Sequence, residues 1–159
     1  MLSIGEEIKQ SHFRSEHQKS ILNILLTANT IYASNSRFFK TYGLSPEQYN
    51  VLRIVRGNHP TPCTVLSIQE RMLDKMSNAS RLVDKLESKG LLLRIQCKED
   101  RRQVSITITQ KGLGILEEIA EPFESLESSL NCVSDPELIR FNEILDIIRN
   151  VYRDALINS

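Results

Sequence analysis

Polar and basic side chains between positions 77 and 85 have the types and the spacing that recognition of DNA bases requires. Asn78, Arg81 and Lys85 recur at i, i+3 and i+7, which places them on one face of a helix. Asn pairs with adenine and Arg with guanine through two hydrogen bonds each, and Ser bonds a base or a phosphate. We therefore predict a DNA-binding face made of Ser77, Asn78, Ser80, Arg81 and Lys85. The alternative that these residues leave open is an ordinary solvated helix face.

A second group of charged residues lies at positions 98–102, between two strand-forming segments. The second segment, QVSITIT, alternates apolar and polar residues with the period of a half-buried strand. This pattern predicts a β-hairpin with the charges at its tip. Arginine is attracted to the negative potential of a narrow minor groove, so the tip is a candidate DNA contact through Lys98, Asp100, Arg101 and Arg102. A solvated turn that prevents aggregation at the hairpin edge is the alternative.

Two short helices precede the hairpin and would position the DNA-binding face. Thr64 predicts the N-cap of a helix that runs through Met72, and a second helix is predicted from about Ser77 to Ser88. Two short helices joined by a turn of about three to four residues form a helix-turn-helix. The predicted fold is therefore mainly α with a small β-hairpin, a winged helix-turn-helix.

Longer helices are predicted on both sides of this unit. Apolar residues recur at helical spacing over residues 6–40, which predicts one long helix. After the hairpin, a helix that starts at position 109 or 110 is predicted to be interrupted near Pro122, and a last helix begins near Ser134. These helices offer more apolar surface than one small winged helix can bury, and such a surplus favours a dimer.

The order of these elements resembles the MarR family of bacterial transcriptional regulators. The resemblance runs from LSPEQYNVLRIV through SNASRLVDKLESKGLLLRIQCKEDRRQVSITITQKG, about residues 44–112. In the family, the acid of an Asp-x-Arg pattern at the hairpin tip braces the arginine for the minor groove, and Asp100 and Arg102 match that pattern. One departure is Ile68-Gln69, where a Leu-Ala pair is more usual, so the small residue expected at a close helix crossing is absent.

The resemblance implies a molecular arrangement and a function. The chain would be a single domain, residues 1–159, in which residues 44–112 bind DNA and residues 1–40 and 113–159 form a helical dimerisation region. The homodimer would bind a pseudo-palindrome in double-stranded DNA, with half-sites about 10 base pairs apart. Repression is the implied outcome, because a dimer bound over a promoter blocks polymerase. In the family, small aromatic or phenolic effectors often bind between the dimerisation helices and the DNA-binding lobe.

Four aromatic residues and two cysteines are candidates for a regulatory switch. The candidates for lining an effector pocket are Phe38, Phe39, Tyr42 and Tyr49. For each of them an ordinary core position is the alternative. Cys63 precedes a predicted helix N-terminus, where the dipole favours the reactive thiolate, although its apolar surroundings would equally bury an inert thiol. Cys97 lies on the predicted hairpin beside Lys98 and is the second candidate redox site.

Charge is distributed unevenly over a chain that has no net charge. Residues 71–103 carry a balance of +4 and residues 113–159 one of −7, which is typical of a basic binding surface on an acidic body. Ordinary solvated helix faces are the alternative. No apolar run approaches the roughly 18 residues of a membrane helix, and the N-terminus lacks a signal-peptide pattern. Three widely spaced cysteines fit reduced thiols. We expect a cytoplasmic protein with no membrane partner.

An enzyme is not expected. The segment HFRSEH has one residue too many for the zinc-binding His-x-x-Glu-His pattern, and the sequence has neither a Gly-rich phosphate loop nor a nucleophile elbow. No cofactor and no metal are predicted. The stronger alternative to a DNA-binding regulator is a winged-helix protein-interaction module without operator binding.

Overall fold

Seven α-helices, one short 3₁₀ helix and two β-strands form the regular structure of the described residues. The computed structural model describes residues 2–96 and 104–157. The elements are, in chain order, α1 (Ile4–Glu7), α2 (Glu16–Lys40), α3 (Pro46–Arg56), α4 (Val65–Arg71), α5 (Ala79–Ser88), β1 (Leu92–Gln96), β2 (Val104–Ile108), α6 (Gln110–Glu127), the 3₁₀ helix Ser128–Cys132, and α7 (Asp135–Ile157). The predicted fold class, mainly α with a small β-hairpin in a winged helix-turn-helix, is confirmed.

The N-terminal region differs from the single helix predicted over residues 6–40. α1 is a single turn, and α2 begins only at Glu16. The hydroxyl oxygen of Ser15 accepts a hydrogen bond from the backbone N–H of Gln18 at 3.2 Å, as an N-cap residue does. Lys9 has a left-handed backbone conformation with φ of 53°, which interrupts a continuous helix. The long-helix prediction was wrong because the apolar spacing that supported it lies within α2.

The predicted DNA-binding lobe, residues 44–112, has a core formed by three helices and the hairpin. Side chains that are fully buried come from α3, α4, α5, β1 and β2: Leu52, Ile68, Val83, Leu86, Leu92 and Ile106. Burying an apolar side chain of this size stabilises a fold by about 1.5–3 kcal/mol. Packing of α3 and α4 against α5 therefore determines how the predicted recognition helix is held.

The two hairpin strands pair antiparallel and gain a third partner from the loop before α4. Leu92 lies opposite Ile108 in the register. The backbone N–H of Cys63 donates to Ile106 O at 2.9 Å, and the N–H of Ile106 donates to Cys63 O at 2.7 Å. The loop before α4 thus ends in a β-bridge along the other edge of β2.

The segment between the hairpin and α6 packs tightly on the end of α5. Thr109 Oγ1 accepts a hydrogen bond from the N–H of Gly112 at 3.0 Å and donates to Gly90 O at 2.8 Å. A Cβ atom on Gly112 would lie 2.3 Å from Leu91 O. The close approach of the two backbones explains why this position is occupied by glycine.

α6 continues through Pro122, so the predicted interruption at this residue was wrong. Proline lacks the N–H that would bond to the carbonyl of residue 118. Both Glu118 and Pro122 are exposed, and water can therefore satisfy that carbonyl without any break in the helix.

The chain falls into two compact units, residues 1–117 and residues 118–159. In the second unit, α7 follows Ser134, whose hydroxyl and N–H donate to the Glu137 carboxylate at 2.5 and 3.1 Å. These hydrogen bonds lower the pKa of Glu137. Among the described residues, no helix combines the length and the apolar character that crossing a membrane requires.

Candidate nucleic-acid interface

α5 buries its apolar residues and exposes the polar ones that were predicted to bind DNA. Ala79, Val83 and Leu86 are buried in the lobe. Ser77, which precedes the helix, is half-buried. The remaining members of the predicted set are exposed, namely Asn78, Ser80, Arg81 and Lys85. The structure therefore gathers the predicted recognition residues at the start and along the solvent face of one helix.

Asn78 is the N-cap of α5. Its Oδ1 accepts a hydrogen bond from the backbone N–H of Arg81 at 3.0 Å. Pairing with adenine uses both the oxygen and the nitrogen of an Asn side chain. If Asn78 pairs with adenine, its Oδ1 therefore has to accept a hydrogen bond from the base as well as the one from the Arg81 N–H.

Side chains of α3, of α4 and of the turn itself hold the turn between α4 and α5 in place. The backbone N–H of Leu73 donates to Asn50 Oδ1 of α3 at 3.1 Å. Within the turn, the Ser77 hydroxyl donates to Asp74 Oδ2 at 2.6 Å, and this hydrogen bond, together with one from the Met76 N–H, lowers the pKa of Asp74. Gln69 of α4 spans the turn with three hydrogen bonds to backbone groups. α5 thus begins at a position that α3 and α4 jointly determine.

Arg94 of β1 connects the hairpin to α5. Its Nη2 lies 2.5 Å from Asp84 Oδ1, and its backbone N–H donates to Glu87 Oε1 at 3.2 Å. Asp84 and Glu87 are the two acidic residues of α5. Because both face Arg94, the positive charges of Arg81 and Lys85 remain available to a polyanion.

The predicted tip of the hairpin lies outside the described residues. This applies to Lys98, Asp100, Arg101 and Arg102, and also to Cys97. Of the two strands on either side, β1 packs against α5, and β2 packs against α3 and α4. The DNA contacts of the tip stay a prediction.

Comparison with known proteins decides the family of this chain. A model of the MarR family matches residues 44–104. The HTH-type transcriptional regulator MhqR of Bacillus subtilis (strain 168) is 30% identical over 107 residues, which cover 65% of this chain and 71% of MhqR. The chain belongs to the MarR family.

Solved structures of transcriptional regulators have the same fold. A MarR transcription factor from Planctomyces limnophilus is 31% identical, and the match covers 86% of this chain and 99% of that protein with a TM-score of 0.65. The organohalide-sensing regulator RdhR, solved with bound 2,4-dichlorophenol, is 18% identical and covers 86% of this chain and 80% of RdhR with a TM-score of 0.76. As a MarR protein, the chain is a DNA-binding transcriptional regulator and not an enzyme, so operator binding is favoured over the interaction-module alternative.

The four aromatic residues proposed for an effector pocket pack against one another where α2 meets α3. The Phe39 and Tyr49 rings stack with their centroids 4.2 Å apart, and both side chains are buried. Phe38 contacts Phe39 edge-on at 5.2 Å and lies 5.4 Å from Tyr42. These contacts favour the core alternative for Phe39 and Tyr49.

A mainly apolar groove of about 380 Å³ lies in the first unit of this MarR protein, beside the turn that precedes α5. It is lined by Ala28, Ile31 and Tyr32 of α2, by Glu47 and Asn50 of α3, and by Leu73 and Asp74 of the turn. The sequence does not predict this groove, because apolar residues at helical spacing indicate burial. Tyr32, however, is 53% exposed. None of the four predicted aromatic residues is among those that line the groove.

A hydrogen bond joins two residues that line this groove. The Tyr32 hydroxyl donates to Glu47 Oε1 at 2.8 Å, and this raises the pKa of Tyr32. Burial alone would raise the pKa of Glu47, but hydrogen bonds that include those of Ser45 and Tyr32 outweigh it and lower this pKa. Glu47 is therefore a carboxylate at neutral pH.

Cys63 is buried beside β2. Its thiol donates to Ile106 O at 3.6 Å. Burial raises the pKa of this thiol, and the positive charge of Arg71 only partly opposes the rise. The thiol is the protonated, less reactive form, so the structure favours the inert alternative for Cys63 over the redox site.

Proposed function

We propose that this MarR-family protein is a homodimeric repressor whose α5 helices read a pseudo-palindromic operator. The observation that carries the proposal is the exposed polar face of α5, held by packing, by the capped turn and by Arg94. Arg81 would pair with guanine, Asn78 with adenine, and Lys85 with a phosphate. Ser77 and Ser80 would bond bases or phosphates near the helix N-terminus, which is the end that enters the major groove.

The hairpin tip supplies the second DNA contact of the proposal. Arg102, braced by Asp100, would enter the minor groove beside α5, and Lys98 and Arg101 would contact phosphates. The support comes from the antiparallel pairing of β1 with β2 next to α5. The ion pair of Arg94 in β1 with Asp84 in α5 further joins the hairpin to this helix.

Dimerisation is proposed for the helical regions, residues 1–40 and 113–159. On α7, Ile144, Ile147 and Val151 recur at i, i+3 and i+7 and are 40%, 58% and 62% exposed. An apolar stripe of this kind marks a contact with a partner, and a two-fold dimer covers the same stripe on both copies. Sedimentation should give a dimer at micromolar concentration, whereas a monomer would contradict this part of the proposal.

Selection of bound duplexes from a random DNA pool, at two salt concentrations, tests the proposed function. A pseudo-palindrome should be enriched, and affinity should fall steeply with salt because each dimer neutralises several phosphates. Feeble, salt-insensitive binding without enrichment would contradict the proposal and support the protein-interaction module.

A small aromatic or phenolic effector in the groove is the regulatory part of the proposal. Its support is the apolar lining and the phenol bound to RdhR, which has the same fold. The charged residues of the lining, Glu47 and Asp74, are both acidic, so an uncharged phenol fits better than an aromatic carboxylate. Because Leu73 and Asp74 also belong to the turn before α5, a ligand in the groove would alter how α5 is presented.

Substitution of Ala28 distinguishes the groove from other effector sites. A chlorinated phenol should release the wild-type protein from its selected duplex, and benzoate should not. Ala28→Phe fills the groove and should abolish the response to the phenol while DNA binding is retained. Ala33→Phe, also exposed on α2 but not among the lining residues, is the matched control. If the phenol releases both variants equally from the duplex, the groove is not the effector site.

A further inference from the structure

Gln69 makes three hydrogen bonds across the turn between the two helices of the helix-turn-helix. Its Nε2 donates to Lys75 O at 3.0 Å and to Ser77 O at 3.1 Å. Its Oε1 accepts from the backbone N–H of Ala79 at 3.1 Å. This residue occupies the position where sequence analysis noted a departure from the more usual Leu-Ala pair.

These partners extend from the middle of the turn, at Lys75, to the first residue of α5. Ala79 is the first residue of α5, and its N–H is one of the first-turn donors that have no partner within a helix. The Asn78 cap satisfies the N–H of Arg81. Gln69 and Asn78 together therefore determine where the recognition helix starts.

Gln69 itself has little capacity left to bind DNA. A glutamine amide has two N–H donors and one carbonyl oxygen. Both donors and the oxygen are engaged with backbone groups of the turn, and the residue is half-buried. Its effect on DNA recognition would consequently be exerted through the position of α5.

We infer that Gln69 is a positioning residue for sequence-specific DNA binding. It fixes the start of α5 relative to α4, and thereby the distance of Arg81 and Asn78 from the base edges. This inference rests on the proposed reading of bases by α5. It assigns a role in base preference to a residue that contacts neither base nor phosphate.

Gln69→Met tests the inference because methionine has a similar length and no amide. The probes are the duplex selected with the wild-type protein and a scrambled duplex of the same composition. The ratio of the two affinities should fall roughly tenfold, which is comparable to the loss of one two-hydrogen-bond base contact. The slope of affinity against salt should stay unchanged, because the same phosphates are neutralised.

A core substitution outside the turn separates positioning from general stability. Leu116 of α6 is buried, and Leu116→Val should lower the unfolding temperature without changing the affinity ratio. Hydrogen exchange in the free protein gives a second readout that needs no DNA. In Gln69→Met the Ala79 amide should exchange faster, while the Arg81 amide, capped by Asn78, should change much less.

The outcomes distinguish this inference from the proposed function. If the wild-type protein enriches no duplex, the proposed function fails and the inference fails with it. If the wild type discriminates and folded Gln69→Met discriminates equally well, the inference alone is wrong. If Gln69→Met does not fold, Gln69→Glu replaces it: this variant keeps an acceptor for the Ala79 N–H and loses both donors, and an unchanged affinity ratio would again overturn the inference.

Discussion

At the residue scale, Asn78 has two interactions that an experiment must separate. Its Oδ1 caps α5, and its side chain belongs to the proposed base-reading face. Asn78→Ala should lower the free energy of unfolding by about 1 kcal/mol because the Arg81 N–H loses its partner. Asn78→Ser keeps a capping oxygen but removes the amide nitrogen that pairs with adenine.

Urea unfolding and duplex selection on these two variants give the decisive comparison. Asn78→Ser should unfold close to the wild type and lose preference at one base position. A serine variant with unchanged base preference would show that Asn78 is a cap alone. An alanine variant as stable as the wild type would contradict the capping role.

Burial determines the expected chemistry of Cys63. Since its thiol pKa is raised, the thiolate forms only above the usual pH range of a cysteine, and Cys63 should react slowly with a disulfide reagent at neutral pH. A variant that carries Cys97→Ser and Cys132→Ser isolates this thiol. The matched control carries Cys63→Ser and Cys97→Ser and retains the exposed Cys132. Equally fast reaction of the two folded variants would contradict the inert assignment.

Sequence reasoning could predict which residues of α5 are exposed, because their helical spacing is local information. It could not predict Gln69, whose partners are backbone groups six, eight and ten positions later. Those contacts depend on the path of the turn, which residue types alone do not encode. The groove was missed for a related reason, since the exposure of Tyr32 depends on how α2 packs on α3.

At the element scale, the junction of α6 with the end of α5 depends on Gly112. A Cβ atom there would lie 2.3 Å from Leu91 O and 2.8 Å from Ile108 Cγ1. Gly112→Ala should therefore displace α6 from the hairpin and lower the free energy of unfolding by about 1–3 kcal/mol, as overpacking does.

Gly114→Ala is the matched control for this prediction. It lies in the same helix, and a Cβ atom there meets nothing within 4 Å. Alanine in a helix is favoured over glycine by up to about 1 kcal/mol, so this variant should be as stable as the wild type or more so. Chemical unfolding gives the free energy of unfolding of both variants. Similar free energies for the two would disprove the close approach at Gly112.

The first residue of a helix could be predicted where the sequence contains a strong N-cap residue. Thr64, which caps α4, is an example. The start of α2 was missed because the helical period of its apolar residues does not mark where the helix begins. Pro122 was overestimated as a helix breaker, since an exposed carbonyl tolerates the missing hydrogen bond. The bridge of Cys63 to β2 joins residues 43 positions apart, beyond the reach of local patterns.

At the scale of the whole molecule, charge and apolar surface are divided between different parts of the chain. The basic balance of residues 71–103 coincides with the helix-turn-helix and hairpin, and the acidic balance of residues 113–159 coincides with α6 and α7. Such a division favours attraction of DNA to the helix-turn-helix and hairpin rather than to α7. The dimer proposed through the exposed stripe of α7 would double that basic surface and impose two-fold symmetry on the operator.

Parallel duplex selections with the wild type and with Arg81→Ala test whether α5 reads bases. Lys85→Ala serves as the control, because a phosphate contact should affect all sequences alike. We expect a pseudo-palindrome for the wild type. Arg81→Ala should lose preference at one position in each half-site and bind the original duplex about 1–3 kcal/mol more weakly. The same motif from wild type and Arg81→Ala would contradict base reading by α5.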